Sequence, residues 1–219
     1  TWGGDLGAGF LLVNPLHAPQ PVSPIEPSPY LPTTRRFSDP IFLVIDEIPE
    51  YADLPAPQRA AVDAAAAQAR ALNTVDFIDR DAVWALKRPA LEALYAVEPS
   101  PERRAEFTAY CDRQGGGLTD FATWCALAVH FGPNWNVWPP GFGSPHTEAV
   151  TAYRLEHASD VDFYRWLQWL LDAQLHRAQT RALAAGMPVG IVKDLAVGVH
   201  PDGADAWALA SVLARGATV

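Results

Sequence analysis

No run of ~18 consecutive apolar residues occurs in the 219-residue chain, so no stretch of it is long and apolar enough to cross a bilayer as a helix. Basic charge is also in short supply. Sixteen Lys and Arg stand against 25 Asp and Glu, and the formal charge of −9 removes the basic surface on which nucleic-acid binding depends. Neither a nucleic acid nor a membrane is an expected partner. Cysteine is confined to Cys111 and Cys125, too few for a disulfide framework in a chain of this size, which points to a reducing compartment. No metal-ligand spacing accompanies these thiols, and His130, His146, His157 and His176 lack a metal-like pairing, so no metal is expected. The opening Thr1-Trp2-Gly3-Gly4 has neither an initiator Met nor the regions of a signal peptide, and the chain closes at Val219 just past a helical pattern. Both ends read as cut, and the expectation is an internal segment of a longer protein.

What is present is ordinary globular composition. A hydrophobic share of 49% with 19% charged residues excludes disordered, collagen-like and coiled-coil readings. Two excesses need a location: 20 Pro and 8 Trp. Gly9 to Asn14 is a short apolar run ended by Pro15, predicted as a strand buried on both faces. From Pro15 to Pro40 the sequence is dense in Pro, Ser and Thr without periodicity, a long ordered loop of a kind that is uncommon without a function. Ile41 to Ile45 reads as a second strand.

The pattern from Pro57 to about Ala185 is helical. Gln58 to Leu72 is an alanine-rich helix, Asp79 caps the next, and Pro89 is expected to divide that one in two. Ser100-Pro101 opens a helix to about Asp112, Gly115-Gly116-Gly117 stops it, and Thr119 is expected to cap its successor. Gly132 to Pro145 is a second irregular stretch, carrying Trp135 and Trp138 on turn-forming backbone. A long helix runs from near Asp160 to Gly186, with apolar residues on two sides of its first half. Val189 to Val199 is the strongest strand signal, His200-Pro201-Asp202-Gly203 a turn, and Ala204 to Ala214 a closing helix. This order of elements predicts an α/β fold, part of a (β/α)8 TIM barrel with a large helical subdomain inserted early. A complete barrel takes about 250 residues and eight strands; only three strand segments are legible.

Four segments, in order, resemble the 4-α-glucanotransferases, also called amylomaltases or disproportionating enzymes, of the α-amylase superfamily. They are Gly9–Ala18 (GFLLVNPLHA), Pro27–Phe37 (PSPYLPTTRRF), Trp166–Leu170 (WLQWL) and Ile191–Trp207 (IVKDLAVGVHPDGADAW). The resemblance implies a cytoplasmic enzyme that cleaves an α-1,4 bond in a maltooligosaccharide, or in glycogen- or starch-type α-glucans, and passes the glucan to another sugar's 4-hydroxyl, glucose among the acceptors. It also implies a retaining mechanism without cofactor or metal, with a carboxylate nucleophile and a carboxyl acid/base about 5 Å apart. The family's nucleophile lies in an Arg-x-Asp-His motif on a later strand, and no such motif occurs in this chain. By that comparison the segment holds no catalytic carboxylate and is expected to be inactive alone.

Within the resemblance, Tyr30 matches the family tyrosine that stacks on a glucosyl ring in the donor site. Stiff Pro on both sides would hold its face ready, and sugar rings present apolar C–H faces to such a platform. The alternative is a loop tyrosine packed on its own domain. Asp202 matches a carboxylate that supports the sugar from the C-terminal face of the barrel; otherwise it is a turn Asp before Gly203. Ser28 and Asn14 complete the expected substrate contacts, although hydrogen bonding to the neighbouring loop is the favoured role for Asn14 and His17. Asp194, inside the strand, is expected to turn inward as a structural partner of Arg35 or Arg36, and Asp205 to cap the last helix. Trp135 and Trp138 form either an accessory glucan surface or the packing between subdomain and barrel. Residues 1–50 are read as early barrel strands and substrate loop, 51–158 as the helical insertion, and 159–219 as barrel helix, strand and following helix. Rival functions are an α-glucan hydrolase and a non-catalytic glucan-binding module.

Overall fold

The computed structural model describes residues 2–213 and shows a mainly helical α/β fold. A short helix α1 (Trp2–Asp5) precedes strand β1 (Phe10–Val13) and the long loop. Helices α2 (Ala56–Ala71), α3 (Arg80–Tyr95), α4 (Pro101–Gln114), α5 (Gly116–Phe131), α6 (Glu148–Glu156) and α7 (Ala158–Ala184) follow, then β2 (Gly190–Lys193) and α8 (Ala204–Ala208). The two strands pair in parallel, Phe10 opposite Gly190 through Val13 opposite Lys193. The core lies among α3, α5 and α7, where Leu91, Leu94, Leu118, Trp124, Leu127 and Leu167 are fully enclosed.

Several expectations hold in detail. Asp79 accepts a hydrogen bond from the Ala82 amide at 2.9 Å, and Ser100 from that of Arg103 at 3.3 Å. The first half of α7 is buried on two sides, from Val161 to Leu171. Its C-terminus is a Schellman closure: Gly186 takes φ +88°, its amide donates to Leu183, and that of Met187 to Ala182 at 3.3 Å.

Other elements depart from the sequence reading. Pro89 does not divide α3; the missing amide is tolerated because Trp84, Ala90, Leu91 and Leu94 bury one continuous face. Only Gly115 stops α4, at φ +64°; Gly116 and Gly117 already belong to α5, so Thr119 lies inside that helix rather than capping it. Helix α6 was not anticipated as a separate element. Ile41–Ile45 is no strand but two 3-10 turns, Pro40–Phe42 and Ile45–Glu47, with Asp39 capping the first. The strong run after Val189 is strand only to Lys193, because its partner β1 ends at Val13 ahead of Pro15, which has no amide to extend a ladder. Nor is β1 buried on both faces: Phe10, Leu11 and Leu12 are each more than half exposed, since no described element covers them. Helix α8 ends at Ala208; Ala214 lies outside the described residues.

Besides its own backbone bonds, among them Ala18 to Phe37 and Asp39 to Leu16, the long loop is held by side chains of the helices. Three glutamines of α7 clamp backbone elsewhere. Gln168 accepts from the Ser38 amide (2.9 Å) and donates to its carbonyl (2.8 Å). Gln174 does the same to Val44 (2.9 and 2.8 Å), and Gln179 holds the Ile191 amide (2.7 Å) and Val189 carbonyl (2.9 Å) beside β2. Each side-chain amide satisfies one backbone N–H and one backbone C=O on the side that no strand pairs with. Lys87 of α3 donates to the carbonyls of Ile41 and Leu43, and Trp84 to that of Pro21.

Asp39, near the end of this loop, is buried and accepts from the Ile41 amide at 2.9 Å. Burial pushes its carboxyl up to about 6, against the pull of the Ile41 amide and the charges of Arg80 and Lys87. A raised acid favours the fold in its protonated form, so its contribution is full below the unfolded value near 3.8 and is lost as pH rises through about 6. Asp39→Asn removes that titration while keeping an acceptor for Ile41. The variant should be about 2–3 kcal/mol more stable than the parent at pH 8 and about equal to it at pH 4. Urea melts at the two pH values check this; the same difference at both would assign the effect elsewhere.

Candidate functional site

The C-terminal ends of β1 and β2 and the loop folded over them bring together most of the residues singled out in the sequence. The loop is first closed on itself, with Ala18 bonded to Phe37 at 3.0 Å and Thr33 to Ala18 at 2.9 Å. It is then joined to the chain after β2. His200 donates to the Pro32 carbonyl (2.7 Å) and Asp205 to that of Thr33 (2.9 Å), while the Asp205 carboxylate accepts from the Arg35 amide (2.9 Å). Gly203 permits this contact: a Cβ there would lie 2.7 Å from the Thr33 Cα. Asp205 is therefore a bridge between two loops and not the cap of α8, whose N-cap is Gly203.

Arg35 and Arg36 place the loop, but through carbonyls rather than Asp194. Arg35 donates to Val197 at 3.0 Å, and Arg36 to the Gln114 carbonyl at the end of α4 at 2.7 Å. Asp194 is thereby free for another partner. It lies just past β2, partly exposed rather than turned into a core, and its Oδ2 accepts from the Tyr30 hydroxyl at 2.8 Å. Sequence reasoning missed this pair because it placed Asp194 within a strand and looked for a cation to neutralise it.

Tyr30 stands on a tight turn whose backbone bonds are local: its amide donates to Ser28 Oγ at 3.3 Å, and the Leu31 amide to the Ser28 carbonyl at 3.4 Å. The ring is 50% exposed, so the loop presents it instead of packing it away. The hydrogen bond to Asp194, then lost hydration, then the carboxylate's charge raise its phenol above the ordinary value. Ser28 acts as the turn's hydrogen-bonding side chain and is itself exposed. Asn14 is exposed at the end of β1, and among the described residues its amide bonds to nothing, including the loop. His17 is held below its usual value, mainly by burial and then by Lys193 and Arg35, and makes only a 3.5 Å approach to the Ala196 amide.

Asp202 belongs to a second cluster. Its carboxylate accepts from Asn136 Nδ2 at 2.8 Å, its amide donates to His200 Nδ1 at 3.1 Å, and Trp135 donates to the adjacent Pro201 carbonyl at 3.2 Å. The second irregular stretch thus docks on the turn after β2. Trp135 and Trp138 are 8% and 7% exposed, Trp138 lying edge-on to Trp207 at 6.0 Å. Both are packing, and neither offers the accessory glucan surface on which a stand-alone binding module would depend. Among the described residues no cluster of His, Cys, Asp or Glu is arranged to hold a metal.

The family model for "4-alpha-glucanotransferase" matches residues 1–219. The 4-alpha-glucanotransferase of Mycobacterium tuberculosis H37Rv is 51% identical over 97% of this chain and 30% of its own length. That of Haemophilus influenzae is 30% identical over 92% of this chain and 31% of its own length. Among solved structures, amylomaltase from Corynebacterium glutamicum superposes with a TM-score of 0.78 at 42% identity, covering 93% of this chain and 28% of that one. Amylomaltase from Streptococcus agalactiae in complex with acarbose gives 0.71 at 16% identity, a likeness of fold alone. The chain therefore spans just under a third of the length of the curated relatives it matches.

Proposed function

Because the chain belongs to the 4-alpha-glucanotransferase family, we propose that the whole protein moves an α-1,4-glucan segment from a donor to the 4-hydroxyl of an acceptor sugar by a retaining double displacement. This chain contributes the donor-side sugar contacts and the helical subdomain, while the two carboxylates that perform the displacement come from residues outside it. The observation that carries the reading is Tyr30: a half-exposed ring held by Asp194 at the C-terminal ends of two parallel strands, the face where barrel enzymes assemble their sites. Its exposed ring suits the C–H side of a glucosyl ring, with Ser28, Asn14 and Asp202 read as the hydroxyl-binding groups. Asp202 arrives already bonded to Asn136, which fixes its orientation for a second pair of hydroxyls.

The two-stranded sheet is read as part of a (β/α)8 barrel. The apolar, uncovered Phe10, Leu11 and Leu12 support this, since barrel strands are apolar on both faces and need neighbours there. Residues 1–50 and 159–219 then belong to the barrel and 51–158 to the insertion. Maltooligosaccharides and larger α-glucans are the substrates, with glucose among the acceptors. Two buried free cysteines suit a reducing, cytoplasmic setting. Incubating the whole protein with maltotriose tests the reaction: glucose together with maltotetraose and longer products is expected. Glucose and maltose alone would identify a hydrolase instead.

A further inference from the structure

Every backbone bond that shapes the turn bearing Tyr30 is made within that turn, and the amide of Ser28 is likewise satisfied locally by Glu26 at 3.0 Å. The loop regains long-range anchors only at Pro32 and Thr33, through His200 and Asp205. A half-exposed ring on such a turn would be free to sample its side-chain rotamers, and a mobile platform loses that freedom when a sugar stacks on it. One contact opposes this, the 2.8 Å bond from the Tyr30 hydroxyl to Asp194. Asp194 is itself held on two sides. Its amide continues the β1–β2 ladder by donating to Val13 at 3.0 Å, and its other carboxylate oxygen accepts from the Leu195 amide at 2.8 Å. The carboxylate is thus fixed on a strand end, and a charge-assisted bond transfers that rigidity to the ring.

We infer that Asp194 is a positioning residue: by holding the Tyr30 hydroxyl it presents the ring's face, and not its hydroxyl, to the bound glucan. The inference rests on Tyr30 being a donor-site platform. It also explains why tyrosine and not phenylalanine occupies a position whose ligand contact is apolar. The hydroxyl serves the protein and the ring serves the sugar.

A double-mutant cycle in the whole protein separates this inference from the reading beneath it. Tyr30→Phe keeps the face and removes only the hydroxyl; it should lower transfer kcat/KM about tenfold. Asp194→Ala should do the same, and the double variant should be no worse than either alone. Asp194→Asn, which keeps an acceptor oxygen, should recover most of the loss and guards against a folding defect in the alanine variant. A Tyr30→Phe enzyme with the parental rate, or losses that multiply to about a hundredfold in the double variant, would overturn the positioning role while leaving Tyr30 in the site. An unchanged rate in Tyr30→Ala would remove the platform itself.

Discussion

Tyr30→Ala in the whole protein should lower glucan transfer by about a hundredfold while moving the melting temperature by less than about 2 °C. The asymmetry follows from where the ring stands. Half of it faces solvent, so its removal uncovers little core, and the turn beneath it keeps its bonds to Ser28. The face lost is the one proposed to orient the donor sugar, and misplacement at a reacting centre costs on the scale of a hundredfold. Initial rates of glucose release from maltotriose, paired with a thermal melt, measure both halves. A parental rate would take Tyr30 out of the site; a large fall in melting temperature would make its role structural.

The opposite signature is expected at Trp207. Its side chain is fully enclosed, packs edge-on to Trp138 and donates to the Phe142 carbonyl at 2.7 Å. It therefore pins α8, and the turn that carries Asp202, to the second irregular stretch. Trp207→Ala leaves a ring-sized cavity and an orphaned carbonyl, a loss of about 4 kcal/mol. Denaturant titration should register most of it as a lower midpoint. A loss below about 1 kcal/mol would mean that the docking of α8 does not depend on this ring.

The two excesses noted in the composition now have separate explanations. Proline stiffens the loop around Tyr30, and that loop was legible because an aperiodic, Pro-rich stretch of that length has few other readings. Tryptophan is packing in seven of eight cases: Trp84, Trp124, Trp135, Trp138, Trp166, Trp169 and Trp207 are buried, and Trp2 alone is exposed. Most helices could be read from caps and spacing, which are local; α6 could not, although Thr147 caps it. Ile41–Ile45 could not, since a five-residue apolar run is equally a strand or an irregular segment until something pairs with it, and here a glutamine of α7 occupies the place of a neighbour. Partnerships of this kind leave no local mark. Nothing near Gln168, Gln174 or Gln179 announces a backbone clamp, and nothing near Asp194 announces a tyrosine hydroxyl. The candidate residues were visible singly but not as pairs.

The Tyr30–Asp194 contact joins groups 164 positions apart in the chain. Loop-closure entropy makes such a contact a late event in folding, formed once the helices between have packed and brought β2 beside β1. The same separation works in reverse at equilibrium. Any opening that releases α7 from the loop parts Tyr30, the proposed platform, from its anchor, so the ring is held only while the helical body is intact. A sugar that binds the aimed ring alone must, by mass action, stabilise helices it never touches.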